Sequence, residues 1–197
     1  AAMFRVTYPE TKESYMIVDA FDRGSYVKII PEENKIIGYT TKNVGGVPDN
    51  FKNYFVLVFD KPFTFVSTAS SGDIHPNKKE ELAKHAGAIV GFSTRRGEQV
   101  HVKVASSFIS YEQAEQNLKE LDGKTFDQVV ANGRSVWNRE LSKLEVNDDN
   151  IDNLLFTRHI SKKERMAGNR TKGPKKRTHQ NDTDFLKALL MCLEKCV

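Results

Sequence analysis

Cysteine is absent from this sequence until Cys192, and the only other is Cys196. A body without thiols must hold its fold by packing and hydrogen bonding, which excludes a disulfide-stapled scaffold. The terminal C-x3-C pair reads as two small apolar residues on a short helix. No apolar run approaches the roughly 18–20 residues that cross a bilayer as a helix, so no membrane span is expected. No basic, apolar, small-residue leader opens the chain either; Ala1-Ala2-Met3 runs straight into strand-like sequence, and a leader already removed would leave no trace. A P-loop, a nucleophile elbow and a dinucleotide glycine fingerprint are also missing, so the sequence offers no signature of those chemistries.

Charge is the first thing present that is uneven. The net charge of the 197 residues is +4, but from Leu154 onward eleven lysines and arginines face four acids, a net +7. Residues 1–153 therefore carry −3, and two different compositions meet near Asn153. The basic run Lys172–Arg177 lacks the interleaved aromatic residues that stack nucleic-acid bases, so it reads as a solvated segment and no nucleic-acid partner is expected.

Short β-branched and aromatic runs punctuated by turn residues fill the first hundred positions, the pattern of hairpins and meanders. Eight strands are predicted, at Met3–Tyr8, Ser14–Ala20, Tyr26–Ile30, Lys35–Thr41, Tyr54–Phe59, Phe63–Thr68, Ala88–Thr94 and Gln99–Ser106. The unbroken apolar run Tyr54–Phe59 predicts a strand covered on both faces. Arg95-Arg96-Gly97 suits a hairpin between the last two strands.

The period then changes to that of helices. Ser110-Tyr111-Glu112-Gln113 and Thr125-Phe126-Asp127-Gln128 are capping-box sequences. Tyr111, Ala114, Leu118 and Leu121 share one helical face, and Phe126 to Leu144 keeps helical spacing for about five turns. Gly133 interrupts that second face and reads as a point of close approach. Strands followed by helices mean segregated elements rather than alternating βαβ units, hence an antiparallel sheet or sandwich with a helical exit.

Candidate chemistry is sparse. His75, His85 and His101 match no compact metal-ligand spacing. Asp148–Asp152 resembles a calcium loop but lacks the glycine and the distal bidentate glutamate, so it reads as a helix-capping acidic turn. Asp19 and Asp22 can be a carboxylate pair or simple turn chemistry. The loop Thr41–Asn53 is the most unusual segment. Gly45 and Gly46 permit close backbone approach, Pro48 stiffens the exit, and Phe51 and Tyr54 can stack on a sugar ring; the competing reading is a long hairpin connection plugged by Phe51.

YMIVDAFDRGSYVKI, IIGYTTKNVGGVPDNFKNYFVLVFDKPF, GAIVGFSTRRGEQVHVKVASSFISYEQAEQNL and WNRELSKLEVNDDNIDN, in that order over residues 1–153, resemble glycoside hydrolase family 92. These are exo-acting α-mannosidases common in gut Bacteroidetes. The resemblance implies a mainly β fold, a partial antiparallel β-sandwich of the supersandwich, galactose mutarotase-like type at 1–109. Linker helices at 110–153 would lead toward an (α/α)6 barrel absent from this chain, and 154–197 departs from the family as a frameshifted or unrelated tail.

The family hydrolyses mannosides with inversion and with calcium, using one carboxylic acid and one carboxylate base as any inverting glycosidase must. Both carboxylates and the calcium ligands belong to the missing barrel. No catalytic and no metal residue is therefore assigned here, no calcium is expected to bind, and the fragment is expected to be inactive. The resemblance implies mannose-containing glycans as partners, with Gly45, Gly46, Asn50, Phe51 and Tyr54 as candidate contacts. A periplasmic or cell-surface location follows from the same resemblance. The alternative is a non-catalytic carbohydrate-binding or interaction module, and sheet edges left bare by missing strands predict an edge-mediated dimer.

Overall fold

A computed structural model describes residues 1–143. Among them the sandwich unit runs over Ala1–Val129, and a second unit begins at Val130. The strands are β1 (Ala2–Tyr8), β2 (Thr11–Asp19), β3 (Ser25–Ile30), β4 (Lys35–Thr40), β5 (Asn53–Phe59), β6 (Phe65–Ser70), β7 (Asp73–Pro76), β8 (Glu80–Ala83), β9 (Ala86–Thr94) and β10 (Glu98–Ser107). Two helices come after them, α1 (Tyr111–Leu118) and α2 (Phe126–Leu141).

Two antiparallel sheets pack face to face. One has the order β1-β10-β5-β4-β3-β8 and the other β2-β9-β6-β7. Alternation decides which side chains meet between them. Val27 and Ile29 of β3, Phe55, Leu57 and Phe59 of β5, and Val100, Val102 and Val104 of β10 face Met16 and Val18 of β2 and Val90 and Phe92 of β9. The ring of Phe92 meets Tyr8, Phe59 and Phe63 at centroid distances of 5.8–5.9 Å, so one aromatic cluster closes an end of the core.

β5 lies in the middle of the larger sheet, as its apolar run predicts, and it is covered on both faces. Phe55, Leu57 and Phe59 turn inward, while Val56 is fully buried on the outer face beside Ala105 of β10. The helix α1, with Ala114 fully buried, provides the outer cover.

The arrangement departs from the sequence reading at three places. Arg95-Arg96-Gly97 is not a hairpin, because β9 and β10 lie in different sheets and do not pair. The turn carries the chain across the sandwich, and Pro9-Glu10 does the same between β1 and β2. The two crossings are fastened together: Thr94 Oγ1 lies 2.7 Å from Ser14 Oγ and 2.7 Å from the Pro9 carbonyl, and Gly97 N–H donates to the Tyr8 carbonyl at 3.0 Å. Local turn chemistry allows both hairpin and crossover; burial of Val100 and Phe92 in opposite layers decides between them.

The second departure is β7 and β8, two four-residue strands in a polar stretch without alternation strong enough to read. The third is Gly133, which approaches nothing within 4 Å, so its absent side chain answers no close packing among the described residues.

Both predicted caps form. Ser110 Oγ accepts from Gln113 N–H at 3.2 Å, although the Gln113 side chain turns to Asn117 instead of reaching back. At Thr125 the box is reciprocal, with Thr125 N–H donating to Gln128 Oε1 at 2.8 Å and Gln128 N–H to Thr125 Oγ1 at 3.3 Å. The first turn of α2 belongs with the sandwich, where Arg5 lies 4.3 Å over the Phe126 ring and pairs with Asp127 at 3.1 Å. In the second unit Val130, Val136, Trp137 and Leu141 are exposed, so the apolar spacing there does not report a buried face among the described residues. Leu144, Asp148–Asp152, the basic run and both cysteines lie outside the described residues.

Candidate functional site

The loop after β4 is anchored at its start and free at its tip. Thr41 Oγ1 donates to the carbonyls of Arg23 at 2.6 Å and Gly24 at 2.9 Å, and Thr41 N–H donates to the Gly24 carbonyl at 2.9 Å. Arg23 in turn reaches the Asn43 carbonyl at 2.9 Å, which ties this loop to the turn between β2 and β3. Asn43 forms an Asx turn, its Oδ1 accepting from Gly45 N–H at 2.8 Å. Gly45 and Gly46 come next with φ of +100° and +78° and no atom within 4 Å of a would-be side chain, so backbone conformation and not space selects glycine here. Val44 is 68% exposed at the tip.

The five candidate residues divide into three places. Gly45, Gly46 and Asn50 are exposed on the loop. Phe51 packs on Phe108 at 5.5 Å, a contact that fits the plug reading of this residue. Tyr54 points outward from the larger sheet into a file of tyrosines that runs in register across β3, β4 and β5. Tyr26 stacks on Tyr39 at 5.6 Å, Tyr39 meets Tyr54 edge-on at 6.0 Å, and Tyr54 meets Tyr111 of α1 at 4.8 Å. Lys52 Nζ sits 4.2 Å from the Tyr39 ring centre.

These rings spend their faces on one another, so the file is cross-strand packing first. Sequence spacing hides it, because its members come from four elements that only the register aligns. Burial and a 2.8 Å hydrogen bond to Glu80 push the Tyr26 phenol up to about 12, and burial raises Tyr111 further. Both phenols therefore stay neutral donors at neutral pH.

The charged groups are paired locally. Asp19 Oδ1 takes His85 Nε2 at 2.7 Å and Phe21 N–H at 2.7 Å, whereas Asp22 takes Lys42 at 2.7 Å, so Asp19 and Asp22 do not act as one carboxylate pair. Asp60 holds His101 twice, at the backbone N–H at 2.8 Å and at Nδ1 at 2.7 Å. Ser70 and Glu81 both approach the same Nε2 of His75, at 3.0 and 3.8 Å. A nucleophile–base–acid relay needs the two ring nitrogens used separately, so this trio is not one. No group of three or more His, Cys, Asp or Glu side chains among the described residues is arranged to hold a metal ion.

A family model described as the glycosyl hydrolase family 92 N-terminal domain matches residues 1–107. The chain belongs to this family. Its fold agrees with a solved family GH92 inverting mannosidase of Bacteroides thetaiotaomicron VPI-5482, at 34% identity and a TM-score of 0.69, over 74% of this chain and 20% of that one. A second family GH92 α-mannosidase of Bacteroides thetaiotaomicron, solved in complex with mannoimidazole, gives 31% identity and a TM-score of 0.64 over 75% of this chain and 21% of that one. The family 92 segment thus spans about a fifth of the length of the mannosidase chains it resembles.

A different model, an uncharacterized family named YaiI/YqxD, matches residues 127–195. Curated relatives are a UPF0178 protein of Exiguobacterium sibiricum, 60% identical over 38 residues, and one of Ruminiclostridium cellulolyticum, 43% identical over 65. The chain covers 26% and 41% of their respective lengths. This match spans the segment expected to be a frameshifted or unrelated tail and overlaps the expected linker helices from residue 127 onward. The charge break near Asn153 falls inside the residues that this second model matches and is not their boundary.

Proposed function

We propose that the family 92 segment is the later part of an α-mannosidase's N-terminal sandwich, acting on mannose-containing glycans together with an (α/α)6 catalytic domain and inactive without it. The family match over residues 1–107 carries this reading. An inverting glycosidase needs two facing carboxyl groups about 6.5–9.5 Å apart across the scissile bond, and these are assigned to the catalytic domain. Hydrolysis with inversion, dependence on calcium and action on N-glycans or mannans are proposed for the whole enzyme, at the cell surface or in the periplasm. Calcium takes six to eight oxygen ligands. The described residues offer no such set, so they do not fit that ion and no step is assigned to it through them.

Within the sandwich, glycan contact is proposed at the loop bearing Gly45, Gly46 and Asn50, bordered by Phe51 and Tyr54. Two assays test the reading. The purified chain is incubated with an α-mannoside and calcium; no mannose is expected, and release abolished by chelation refutes the assignment of chemistry to a missing domain. Titration with mannose-containing glycans, monitored by calorimetry, is expected to give heat that Asn50→Ala and Phe51→Ala diminish. Heat unchanged by both substitutions moves the contact elsewhere.

A further inference from the structure

A row of polar residues closes the core at the base of the loop between β4 and β5, and one member of it has no partner. Ser25 of β3, Thr40 of β4 and Asn53 of β5 stand side by side in register on the core side of the larger sheet. All three are buried, at 0%, 2% and 9% exposure. Ser25 Oγ donates to the Phe21 carbonyl and accepts from Ala86 N–H, both at 2.8 Å, and Thr40 Oγ1 accepts from Lys42 N–H at 3.1 Å. Asn53 Oδ1 is buried and accepts no hydrogen bond among the described residues. A buried acceptor without a donor weakens a fold, and native interiors keep few of them. Packing does not call for one here, because Phe55, Leu57 and Phe59, the next residues of β5 on the same side, are all apolar. A position that breaks a folding rule without a structural gain points to function.

The surroundings of the amide narrow the donor it awaits. The ladder between β5 and β10 runs to the pair Tyr54 and Ser107, and the next step of that register sets Phe108 opposite Asn53. Phe108 is 57% exposed and meets the Phe51 ring at 5.5 Å, and Ile109 beside it is 75% exposed. An uncharged acceptor next to two aromatic rings suits a neutral ligand that carries both hydroxyl donors and apolar C–H faces, not an ion. Phe108, more than half in solvent, can turn aside to admit it.

We propose that Asn53, Phe51 and Phe108 form a pyranose subsite at the base of the loop, with Asn53 Oδ1 accepting one sugar hydroxyl and the two rings covering the sugar's C–H face. The proposal rests on the glycan reading of the loop and deepens it. It puts recognition on the Phe51 side, away from the tyrosine file, and makes Asn53 the residue that distinguishes a hydroxyl from a hydrogen. A ligand lacking that hydroxyl leaves the acceptor unpaired and is discriminated against.

The test is NMR titration of the full chain with methyl α-mannopyranoside, its monodeoxy analogues and methyl β-galactopyranoside, repeated on Asn53→Leu. The mannoside is expected to shift the side-chain amide of Asn53 and the backbone amides of 51–54 and 107–109. One deoxy analogue is expected to bind at least about tenfold more weakly than the parent sugar. Asn53→Leu is expected to lose at least about tenfold in affinity for the mannoside, to bind that analogue and the parent alike, and, relieved of an unpaired acceptor, to melt no lower than the unaltered chain. Phe108→Ala, at an exposed position, is expected to weaken binding with unchanged circular dichroism, so the test does not depend on one variant. Affinity untouched in Asn53→Leu assigns the oxygen to an ordered water and overturns the proposal, as does mannoside binding that shifts other residues; the glycan reading survives both. Galactoside binding at these residues with none by the mannoside keeps the subsite and refutes the mannose reading. No shift with any of the sugars overturns both.

Discussion

Two glycines sit opposite aromatic rings in this sandwich, and the difference between them yields a quantitative prediction. Gly38 of β4 faces Phe55 of β5 inside the core, and Gly91 of β9 faces Phe65 of β6 on the outer surface. A Cβ at Gly38 would lie 2.3 Å from Phe55 Cζ and 2.4 Å from the Tyr26 carbonyl oxygen. Phe55 is 1% exposed and cannot swing out, and the carbonyl belongs to the neighbouring strand, so β3 and β4 must separate. Overpacking by one methylene costs about 1–3 kcal/mol. With backbone involved, Gly38→Ala is expected to cost about 3 kcal/mol, after offsetting the ~0.4–1 kcal/mol that alanine gains by restricting the unfolded chain.

At Gly91 the Cβ would lie 1.9 Å from Phe65 Cε1, but every close atom belongs to a ring that is 38% exposed. That ring can rotate into solvent, so Gly91→Ala is expected to cost about 1 kcal/mol or less, part of one side chain's burial. At about 2–4 °C per kcal/mol, the melting temperatures should fall by about 6–12 °C and by less than about 4 °C respectively. Urea titration gives the free energies. Phe55→Leu in the Gly38→Ala background should recover part of the loss, a coupling of at least ~1 kcal/mol between touching residues. Equal costs at the two glycines, or no coupling with Phe55, would refute the steric argument.

Further predictions concern the polar contacts. Glu81 is 7% exposed, and its carboxyl is held below the ordinary value of 4.5, first by a hydrogen bond from Lys78 and then by one from Thr68. A depressed folded value means that its contribution is complete above the unfolded carboxylate range and is lost as pH falls through the lower folded value. Stability measured from pH 7 down to pH 3 should therefore decline less steeply in Glu81→Gln than in the unaltered chain, and a parallel decline would count against the contact. Thr94→Val removes the hydroxyl that joins the two crossings to Ser14 and Pro9 and should cost about 1–3 kcal/mol in urea, since buried partners are left unsatisfied. Thr125→Ala should lose about 1 kcal/mol or less, and its exchange effect should be confined to the first turn of α2.

The strand positions were legible because apolar alternation and turn residues are local signals. The double cover of β5 was equally legible, since six apolar residues in a row leave no face for water. The caps at Ser110 and Thr125 were readable because each bond spans only three residues. β7 and β8 were not readable: their eight residues are polar, and their strand geometry comes from pairing with β6 and β3. Among the candidate sugar contacts, the freedom of Gly45 and Gly46 could be inferred from sequence, but the attachment of Tyr54 to Tyr39 and Tyr111 could not.

By itself the sequence determined that most of the first hundred residues would be strands and turns, that helices would succeed them, and that two compositions meet near Asn153. Each of these depends on neighbours within a few positions or on simple sums of charge. Only the tertiary structure decided that β1 and β2, and likewise β9 and β10, occupy opposite layers. It alone assembled the tyrosine file from four separate elements. Those outcomes depend on which strands find each other across the chain, where register and burial, not local preference, set the energy.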